Sequence, residues 1–588
     1  MNKKRLPKST YPNRYEIELD VDLDNFSYTG AQKVDLNVVE ATNNIVLNSV
    51  GIEVTKAKIQ TTKQDIPLEV NYIEEDEKIV FESQETLSEG VYELYLEFNS
   101  EITNDLKGFY KSSYMSEDGE KKWIATTQFE PTAARSAFPC WDEPEYKAIF
   151  SMTIITDEKY LRVSNEMVVE EEKVENNKLR TKFADSMKMS SYLVAFVIGD
   201  LEATVVGKSK TTDIRIIHRP GFSHQTSYAG TAAIKLLDFF EDYYKIPYPG
   251  TKLDLIAIPD FAMGAMENVG AVTFRENLLL FDKDKATRSE LDRSITVIAH
   301  ELAHMWFGDL VTMKWWDGIW LNEAFASLME VIASYNTYPE FKQWNAMNMS
   351  RTAGFSIDSL ENSRPVEFDV ETPDQAEEMF DVLTYEKGST VLRMFQMFIG
   401  EEAFQNGVEA YLNKFKFENT NSSDLWDALS EASNQPLNKI LPFWIREKGY
   451  PFLQVDCSNN FLTIKQKPFL LKNVETDKNN IKPVPVQIKF LDTGNEEKFL
   501  LDETERVIDL KNLGKVPHVN SGGWGFFHTF YDDEVFENIL ANFDKLNDLE
   551  KYRLLEDKWM QFKKAPTDIK DFYKFLMFFK KEKDEDIW

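Results

Sequence analysis

The hydrophobic period of this chain changes three times along its 588 residues, and these changes limit the folds open to it. Up to about residue 205, apolar residues alternate with polar ones, which is typical of half-buried β-strands. From about 207 to 447 they recur at helical spacing, and past Pro451 the alternation returns up to about Tyr531. The remaining stretch is again helical in pattern. The clearest alternating run is formed by Tyr15, Ile17, Leu19, Val21 and Leu23.

These periods predict a multidomain α+β fold. A single hydrophobic core stops growing beyond roughly 250–300 residues, so a chain of this length is expected to form several domains. We predict an all-β domain over 1–206, an α/β domain over 207–447, a small β-sandwich over 448–531 and a helical segment over 532–588. Pro483 and Pro485 predict that the strand around them lies at a sheet edge, because proline cannot donate a ladder hydrogen bond.

Composition excludes several classes of partner. Acidic residues outnumber basic ones by 99 to 67, and the resulting charge of −32 would repel nucleic acid and anionic membranes. No apolar run approaches the ~20 residues of a membrane-spanning helix, and Met1–Pro7 is not followed by the apolar stretch of a secretory signal. Because Cys140 and Cys457 are the two cysteines of the chain, a disulfide framework is excluded. We therefore expect a cytoplasmic protein that binds neither nucleic acid nor membranes.

One short motif, His300-Glu301-Leu302-Ala303-His304, has the spacing of a metal site. Residues four apart share a helix face, and the apolar stripe of this segment runs through the motif without Pro or Gly. Two imidazoles one turn apart can bind a single Zn²⁺, and the glutamate between them can reach its water. With six histidines in the chain, about 0.01 such matches are expected by chance. The motif therefore predicts one zinc ion per chain.

A catalytic zinc ion usually has three protein ligands, so a third ligand is required. Glu323 follows His304 after eighteen residues, a gap that allows a loop and a return helix packed against the first. Its apolar neighbours Leu321 and Ala324 favour a buried position. We predict that the metal is bound by His300, His304 and Glu323. The other histidines have no such spacing and are predicted to be structural: His218, His224, His518 and His528.

Together with a second motif, this zinc pattern resembles the M1 family of zinc aminopeptidases, the gluzincins. Gly264-Ala265-Met266-Glu267-Asn268 looks like the exopeptidase signature of that family, and Asn268 lies 32 residues before His300. Further similarity at 128–135 and 385–388 extends the likeness over nearly the whole chain, and it favours the tricorn-interacting-factor and puromycin-sensitive branch. The resemblance implies a thermolysin-like catalytic domain over 207–447 and the start of a C-terminal α-helical domain over 532–588.

The resemblance also implies a reaction, in which a zinc-bound water hydrolyses the N-terminal residue from peptides with a free N-terminus. Glu301 would act as general base and then acid, and Tyr385 would donate its O–H to the oxyanion. Glu267 and Glu130 would bind the α-ammonium group of the substrate. Gln128 and Glu130, two apart on a predicted strand, would face the same side. Further substrate contacts are implied for Gly264, Ala265, Met266 and Asn268.

Three other functions remain open at this stage. A leukotriene A4 hydrolase-like epoxide hydrolase has related motifs. That branch, however, is expected to have Gly at the position of Ala265, and it lacks the β-sandwich that follows Pro451 here. A thermolysin-like endopeptidase would share the zinc helix but would not need Glu267 or Glu130. A catalytically silent peptide-binding relative is the third alternative. The apolar faces of the last helices also predict a protein partner or a further helical part at the C-terminus.

Overall fold

The computed structural model describes residues 5–61, 64–472, 481–566, 568–583 and 587, so Met1–Lys4 of the N-terminal stretch lie outside the described residues. Internal packing divides the chain into two compact units. The first comprises Met1–Asn322, Val370–Met379 and Glu409–Asn421, and the second Glu323–Asp369, Phe380–Val408 and Ser422–Trp588. The predicted fold class is confirmed: an all-β region is followed by a mixed α/β region, and helices follow in the C-terminal part. The domain boundaries at 206, 447 and 531 stay predictions.

The N-terminal region of the first unit is built from strands. A ten-stranded sheet has the order β12-β13-β10-β1-β2-β7-β4-β5-β6-β3, and a four-stranded sheet has the order β11-β14-β9-β8. The strands are β1 Thr10–Asp22, β2 Ser27–Val38, β3 Thr42–Asn48, β4 Glu53–Gln60, β5 Ile66–Ile73, β6 Lys78–Leu87, β7 Gly90–Glu101, β8 Gly108–Met115, β9 Lys121–Gln128, β10 Ile149–Asp157, β11 Leu161–Ser164, β12 Val168–Lys173, β13 Lys178–Phe183 and β14 Phe196–Gly199.

The alternating run at the start of the chain forms β1 and buries one face of it. Tyr15, Ile17 and Leu19 are at most 1% exposed, whereas the residues between them are half-buried or exposed. Strand β1 pairs in parallel with β10, and there the ring of Tyr15 stacks on Phe150 with centroids 4.7 Å apart. The period of two therefore predicted both the strand and its buried face correctly.

The mixed region contains a five-stranded sheet and the helices that carry the metal motif. The sheet order is β15-β16-β17-β19-β18, so β18 lies at its edge. The elements up to α3 are β15 Glu202–Ser209, β16 Thr212–His218, α1 Ser227–Tyr244, β17 Lys252–Ile258, β18 Ala265–Met266, β19 Ala271–Arg275, α2 Arg288–His304, β20 Thr312–Met313 and α3 Ile319–Thr337. They are followed by α4 Gln343–Asp358, α5 Pro373–Glu377, α6 Gly388–Ile399, α7 Glu401–Phe415, β21 Asn419–Thr420, α8 Ser422–Ser433, α9 Leu437–Ile440 and α10 Pro442–Ile445.

The C-terminal part of the second unit has two small sheets and then helices. The sheets have the orders β26-β23-β22-β28 and β25-β24-β27. Their strands are β22 Tyr450–Ser458, β23 Phe461–Phe469, β24 Val484–Phe490, β25 Glu496–Leu501, β26 Glu505–Asp509, β27 Pro517–Val519 and β28 His528–Tyr531. The helices are α11 Asp533–Leu540, α12 Asp548–Lys564 and α13 Ile569–Leu576.

The predicted edge position of the proline-containing strand is wrong, because β24 is the central strand of its sheet. Its pairing with β27 covers only Ile488 to Phe490. Pro485 lies outside that stretch and pairs with Leu500 of β25 alone. The ladder with β27 therefore never needs the N–H that proline lacks, and the strand tolerates proline although it is central.

The last described helices leave apolar side chains at the surface. Tyr573 is 61% exposed and Met577 is 60% exposed, and both lie on or just after α13. Within the described ranges, no helix combines the length and the apolar character that crossing a membrane requires. A protein partner or further helices at this end of the chain stay predictions.

The N-terminus of α2 has a capping box, and this generates a first prediction. The Thr287 side chain accepts from the Glu290 N–H, and the Glu290 side chain accepts from the Thr287 N–H. Thr287→Ala removes one of these bonds and should cost about 1 kcal/mol, so the first-turn amides of α2 should exchange with deuterium about fivefold faster. Hydrogen exchange measured by mass spectrometry tests this. Thr287→Ser keeps the hydroxyl and should exchange like the native protein; equal acceleration in both variants would contradict the prediction.

Candidate metal centre

Helix α2 positions the metal motif through its C-terminal half, which is almost wholly buried from Ser294 to His304. Ile295, Ile298 and Leu302 are fully buried, and the helix packs mainly against α1. The helix ends at His304, which is 1% exposed, whereas His300 is half-buried. The stripe predicted from the sequence therefore sets the direction in which both imidazoles point.

The two histidines bring their Nε2 atoms together. These atoms lie 3.1 Å apart, and the rings are inclined by 74°. The Nδ1 atom of His304 lies 2.9 Å from the Phe307 carbonyl oxygen, which can only accept. Nδ1 therefore donates its proton to this carbonyl, and Nε2 keeps a lone pair for a cation. Two zinc ligands at about 2.0–2.1 Å from a tetrahedral ion are a little over 3 Å apart, so the observed spacing fits such an ion.

Glu323 supplies a carboxylate to the same group. It is the fifth residue of α3 and is 3% exposed. The division between the two units falls between Asn322 and Glu323, inside this continuous helix. The ligand atoms of His300, His304 and Glu323 all lie within 4.8 Å of one another. Two imidazole nitrogens and one carboxylate are the donor set of a catalytic zinc site, so the three predicted ligand residues fit this metal.

Residues 264–268, which are predicted to contact the substrate and are called the substrate loop below, lie at the edge of the five-stranded sheet. In β18, Ala265 pairs with Phe274 and Met266 with Thr273, and the N–H of Arg275 donates to the Gly264 carbonyl. A Cβ built on Gly264 would meet its nearest neighbours at 3.9 Å, which is ordinary contact. The fold itself therefore does not require glycine here. Asn268 is buried and donates through Nδ2 to the hydroxyl of Thr273 at 3.2 Å.

Glu267 reaches the metal motif from this loop. It is 3% exposed, and its Oε1 lies 3.7 Å from Nδ1 of His304. Oxygens of Glu130, Glu267 and Glu323 also form a group in which all ligand atoms lie within 4.8 Å of one another. Negative charge is thus concentrated beside the histidines, and this would favour a bound cation.

The expectation that Gln128 and Glu130 share one strand is wrong. Strand β9 ends at Gln128, and Glu130 lies in the turn that follows, before Pro131. Proline has no N–H to continue the ladder, so the chain leaves the sheet there. Gln128 is 7% exposed, and its Nε2 lies 3.4 Å from the sulfur of Met266, which joins it to the substrate loop.

Sequence reasoning missed a buried lysine that supports the turn after α2. Lys147 donates through Nζ to the carbonyls of Asp309 and Leu310, at 3.0 and 3.2 Å. The same turn contains the Phe307 carbonyl that holds His304. Burial lowers the pKa of Lys147 to about 7, and the Asp309 carboxylate opposes this in part. Nothing in the sequence around Lys147 signals this role, because its partners are more than 160 residues away.

The turn after α2 also requires glycine at position 308. Gly308 has φ +133°, a conformation that side chains with a Cβ rarely adopt. A Cβ there would lie 3.3 Å from Nδ1 of His304.

Complete burial raises the pKa of the neighbouring Asp309 well above its usual range, and the Glu267 carboxylate raises it further.

Tyr385 belongs to the second unit. It is half-buried in a π-helical turn, Leu383–Lys387, which runs directly into α6. A Cβ built on Gly388 would lie 2.6 Å from the Cβ of Ala324, the residue after Glu323. The start of α6 thus packs against α3 beside a predicted metal ligand. The roles of Tyr385, Glu301 and the other predicted site residues stay predictions.

Comparison with known proteins gives two matches to family models. The model described as the Peptidase M1 N-terminal domain matches residues 11–193, and the Peptidase family M1 domain matches residues 228–444. Aminopeptidase M1 of Arabidopsis thaliana is 38% identical over 94% of this chain and 65% of its own length.

Two further relatives match nearly the whole chain. The puromycin-sensitive aminopeptidase of Caenorhabditis elegans is 35% identical over 99% of this chain and 63% of its own length. The alanine/arginine aminopeptidase of Saccharomyces cerevisiae is 34% identical over all of this chain and 69% of its own length. The chain thus spans about two thirds of the length of these relatives, and slightly less for the first two.

We predict that replacing Lys147 changes how stability depends on pH. The folded pKa of about 7 lies below the ordinary 10.5, so between these values the unfolded chain binds more protons. Stability contributed by this site therefore rises with pH, by about 2 kcal/mol from pH 7 to pH 9. Lys147→Met should lack this rise. Urea titrations at both pH values, followed by tryptophan fluorescence, measure the difference.

The surface variant Lys208→Met is the control for the lysine prediction. Its side chain is exposed, so it should keep the pH dependence of the native protein. Parallel pH curves for the native protein and Lys147→Met would contradict a lowered pKa at this position.

Proposed function

Because this chain belongs to peptidase family M1, we propose that it is a zinc-dependent aminopeptidase that removes the N-terminal residue from peptides. The observation that carries this proposal is the 3.7 Å between Nδ1 of His304 and Oε1 of Glu267. It joins a metal-ligand set to a buried carboxylate that could hold a substrate ammonium group. A site of this kind favours the peptide bond next to a free N-terminus.

The metal would be held by His300, His304 and Glu323. When bound, zinc supplies a Lewis acid that polarises the scissile carbonyl and makes water more acidic. The Phe307 carbonyl accepts from Nδ1 of His304, which orients the ring and leaves Nε2 for the ligand role. Lys147 supports the turn that carries this carbonyl and does not contact the ligands itself.

Proton transfer is assigned to Glu301 and Tyr385. Glu301 lies between the two histidines on α2 and is 5% exposed. Its carboxylate would accept a proton from the attacking water and then return it to the departing amine. The Tyr385 hydroxyl would donate to the oxyanion that develops on the carbonyl, a contact whose loss typically costs about 10²–10³ in rate.

The N-terminus of the substrate would be recognised by charge. Glu267 and Glu130 would accept charge-assisted hydrogen bonds from the α-ammonium group, which is why a free N-terminus is required. Gln128, whose Nε2 lies against the sulfur of Met266, would assist at the same pocket. The edge strand β18, together with Gly264 just before it, would offer its backbone to an extended substrate, as edge strands do for added peptides. Met266 and Asn268 would shape and brace this loop.

We propose peptides as substrates and one zinc ion per chain as cofactor. A reducing compartment such as the cytoplasm is in keeping with Cys140 and Cys457, both unpaired among the described residues. The epoxide hydrolase, the endopeptidase and the silent binding protein are the alternatives against which the proposal is tested.

The first test is a panel of aminoacyl coumarin amides, assayed with and without 1,10-phenanthroline. At least one amide should be hydrolysed, the activity should be lost on chelation, and Zn²⁺ should restore it, because the ligand set leaves a position open for chemistry. The N-acetylated form of the best substrate should not be cleaved. Cleavage of the acetylated form would favour an endopeptidase, and no chelator-sensitive release from any amide would reject the proposed function.

A further prediction separates catalysis from metal binding. Glu301→Gln should lower kcat by at least about 10², because the general base is lost, whereas one zinc ion per chain should remain bound. Metal content by mass spectrometry and steady-state kinetics measure the two quantities. Glu290→Gln, at the other end of α2, is the matched control and should keep kcat. Full activity in Glu301→Gln would remove this residue from the mechanism.

A further inference from the structure

The turn that carries Tyr385 has a rare geometry. Residues Leu383–Lys387 form a π-helix, in which each hydrogen bond spans one residue more than in the α-helix that follows. Such turns are uncommon and occur often at functional sites. In an α-helix each residue rotates by about 100°, so loss of the extra residue would swing the Tyr385 side chain around the helix axis relative to α6. Something must therefore hold the turn in its wider form.

Lys387, the last residue of this turn, forms a buried ion pair. Its Nζ lies 2.8 Å from Oδ2 of Asp358, and both side chains are completely buried. Asp358 ends α4, and its other oxygen accepts from the Ser363 hydroxyl at 2.7 Å and from the Gly449 N–H at 2.8 Å. The carboxylate is thus fixed by two donors of its own before it pairs with Lys387.

The two ends of the turn are held as well. At its start, Oδ1 of Asp381 accepts from the N–H groups of Leu383 and Thr384, and Arg364 pairs with the same carboxylate at 2.6 Å. At its end, Gly388 packs so closely on α3 that no side chain fits between them. With the ends fixed, Lys387 adds an ionic link from the turn into the core of the second unit.

We propose that Lys387 and Asp358 are positioning residues for Tyr385: their buried ion pair holds the π-helical turn in the register that aims the Tyr385 hydroxyl. The inference rests on the proposed function, in which Tyr385 donates to the oxyanion. Neither partner contacts substrate, and both act through the backbone of the turn. Removing Asp358 leaves the Lys387 charge buried without its ion-pair partner, which the turn relieves by shifting, and removing Lys387 takes away the link itself.

A double-mutant cycle in kcat tests the proposal. Tyr385→Phe should lower kcat by about 10²–10³. Lys387→Met should lower kcat at least about tenfold and change KM less than about threefold, because a displaced donor weakens the transition state alone. Combining the two should cost no more than Tyr385→Phe by itself, within about threefold. An equal fold loss from Lys387→Met in both backgrounds would overturn the proposal.

The matched control is a second buried lysine paired with a buried aspartate. In the first unit, Nζ of Lys252 lies 2.7 Å from Oδ2 of Asp254, and the two side chains are 4% and 0% exposed. Lys252→Met removes the same charge from a similar environment but has no link to the turn. Its effect on kcat, whatever its size, should therefore multiply with that of Tyr385→Phe. Coupling of Lys252→Met to Tyr385→Phe would mark the cycle as a general response to lost stability and overturn the proposal.

A further variant keeps the test open if Lys387→Met does not fold. The pair Lys387→Met and Asp358→Asn removes both charges, and Asn can still accept from Ser363 and Gly449. Because no lone charge stays buried, this variant should fold with a near-native circular dichroism spectrum. It should still lack at least about tenfold in kcat, since the link to the turn is absent. Native kcat in this variant would overturn the proposal.

A readout independent of activity separates this inference from the proposed function. Deuterium exchange over Leu383–Lys387 should be at least about tenfold faster in Lys387→Met than in the native protein, and unchanged in Lys252→Met. If the native chain hydrolyses no aminoacyl amide, the proposed function fails, and exchange alone decides whether the ion pair holds the turn. If Tyr385→Phe keeps native kcat, the role of Tyr385 fails and the positioning proposal with it. Unchanged exchange in Lys387→Met overturns it in every case.

Discussion

Two imidazole nitrogens held 3.1 Å apart are the constraint on which the candidate site depends. Lone pairs this close repel each other unless a proton or a cation lies between them. The capping box of α2, its buried stripe and the turn after it all serve to present these two atoms. Lys147 extends this support into the N-terminal β region, so the position of His304 rests on a residue from a different part of the first unit.

The carboxylates around the histidines give the overall charge of the chain a local meaning. Oxygens of Glu130, Glu267 and Glu323 lie within 4.8 Å of one another. Placing several carboxylates this close together in a buried site costs free energy, and a metal ion or an ammonium group between them offsets that cost. The formal charge of −32 gives the surface a field that disfavours polyanions, and the same sign of charge within the candidate site would favour small cations.

The sequence was sufficient where the relevant forces are local. Period two predicted β1 and its buried face, and helical spacing predicted that α2 would carry both histidines on one side. Prediction failed where tertiary pairing decides. β24 is central although it contains Pro485, since its second neighbour ends short of the proline. Glu130 lies beyond its strand, and the wider turn at Tyr385 depends on Asp358, which no local pattern connects to Lys387.

Strand β18 pairs with one neighbour in the sheet that contains it, and it is two residues long. The N–H and C=O groups on the other side of such a strand face away from the ladder, and they match any main chain whatever its side chains are. A peptide paired with these groups would be recognised by its chain direction and by the position of its first residue. Under the proposed function, side chains beyond the first residue of the peptide would contribute little to this pairing, and one short edge would suit peptides of many sequences.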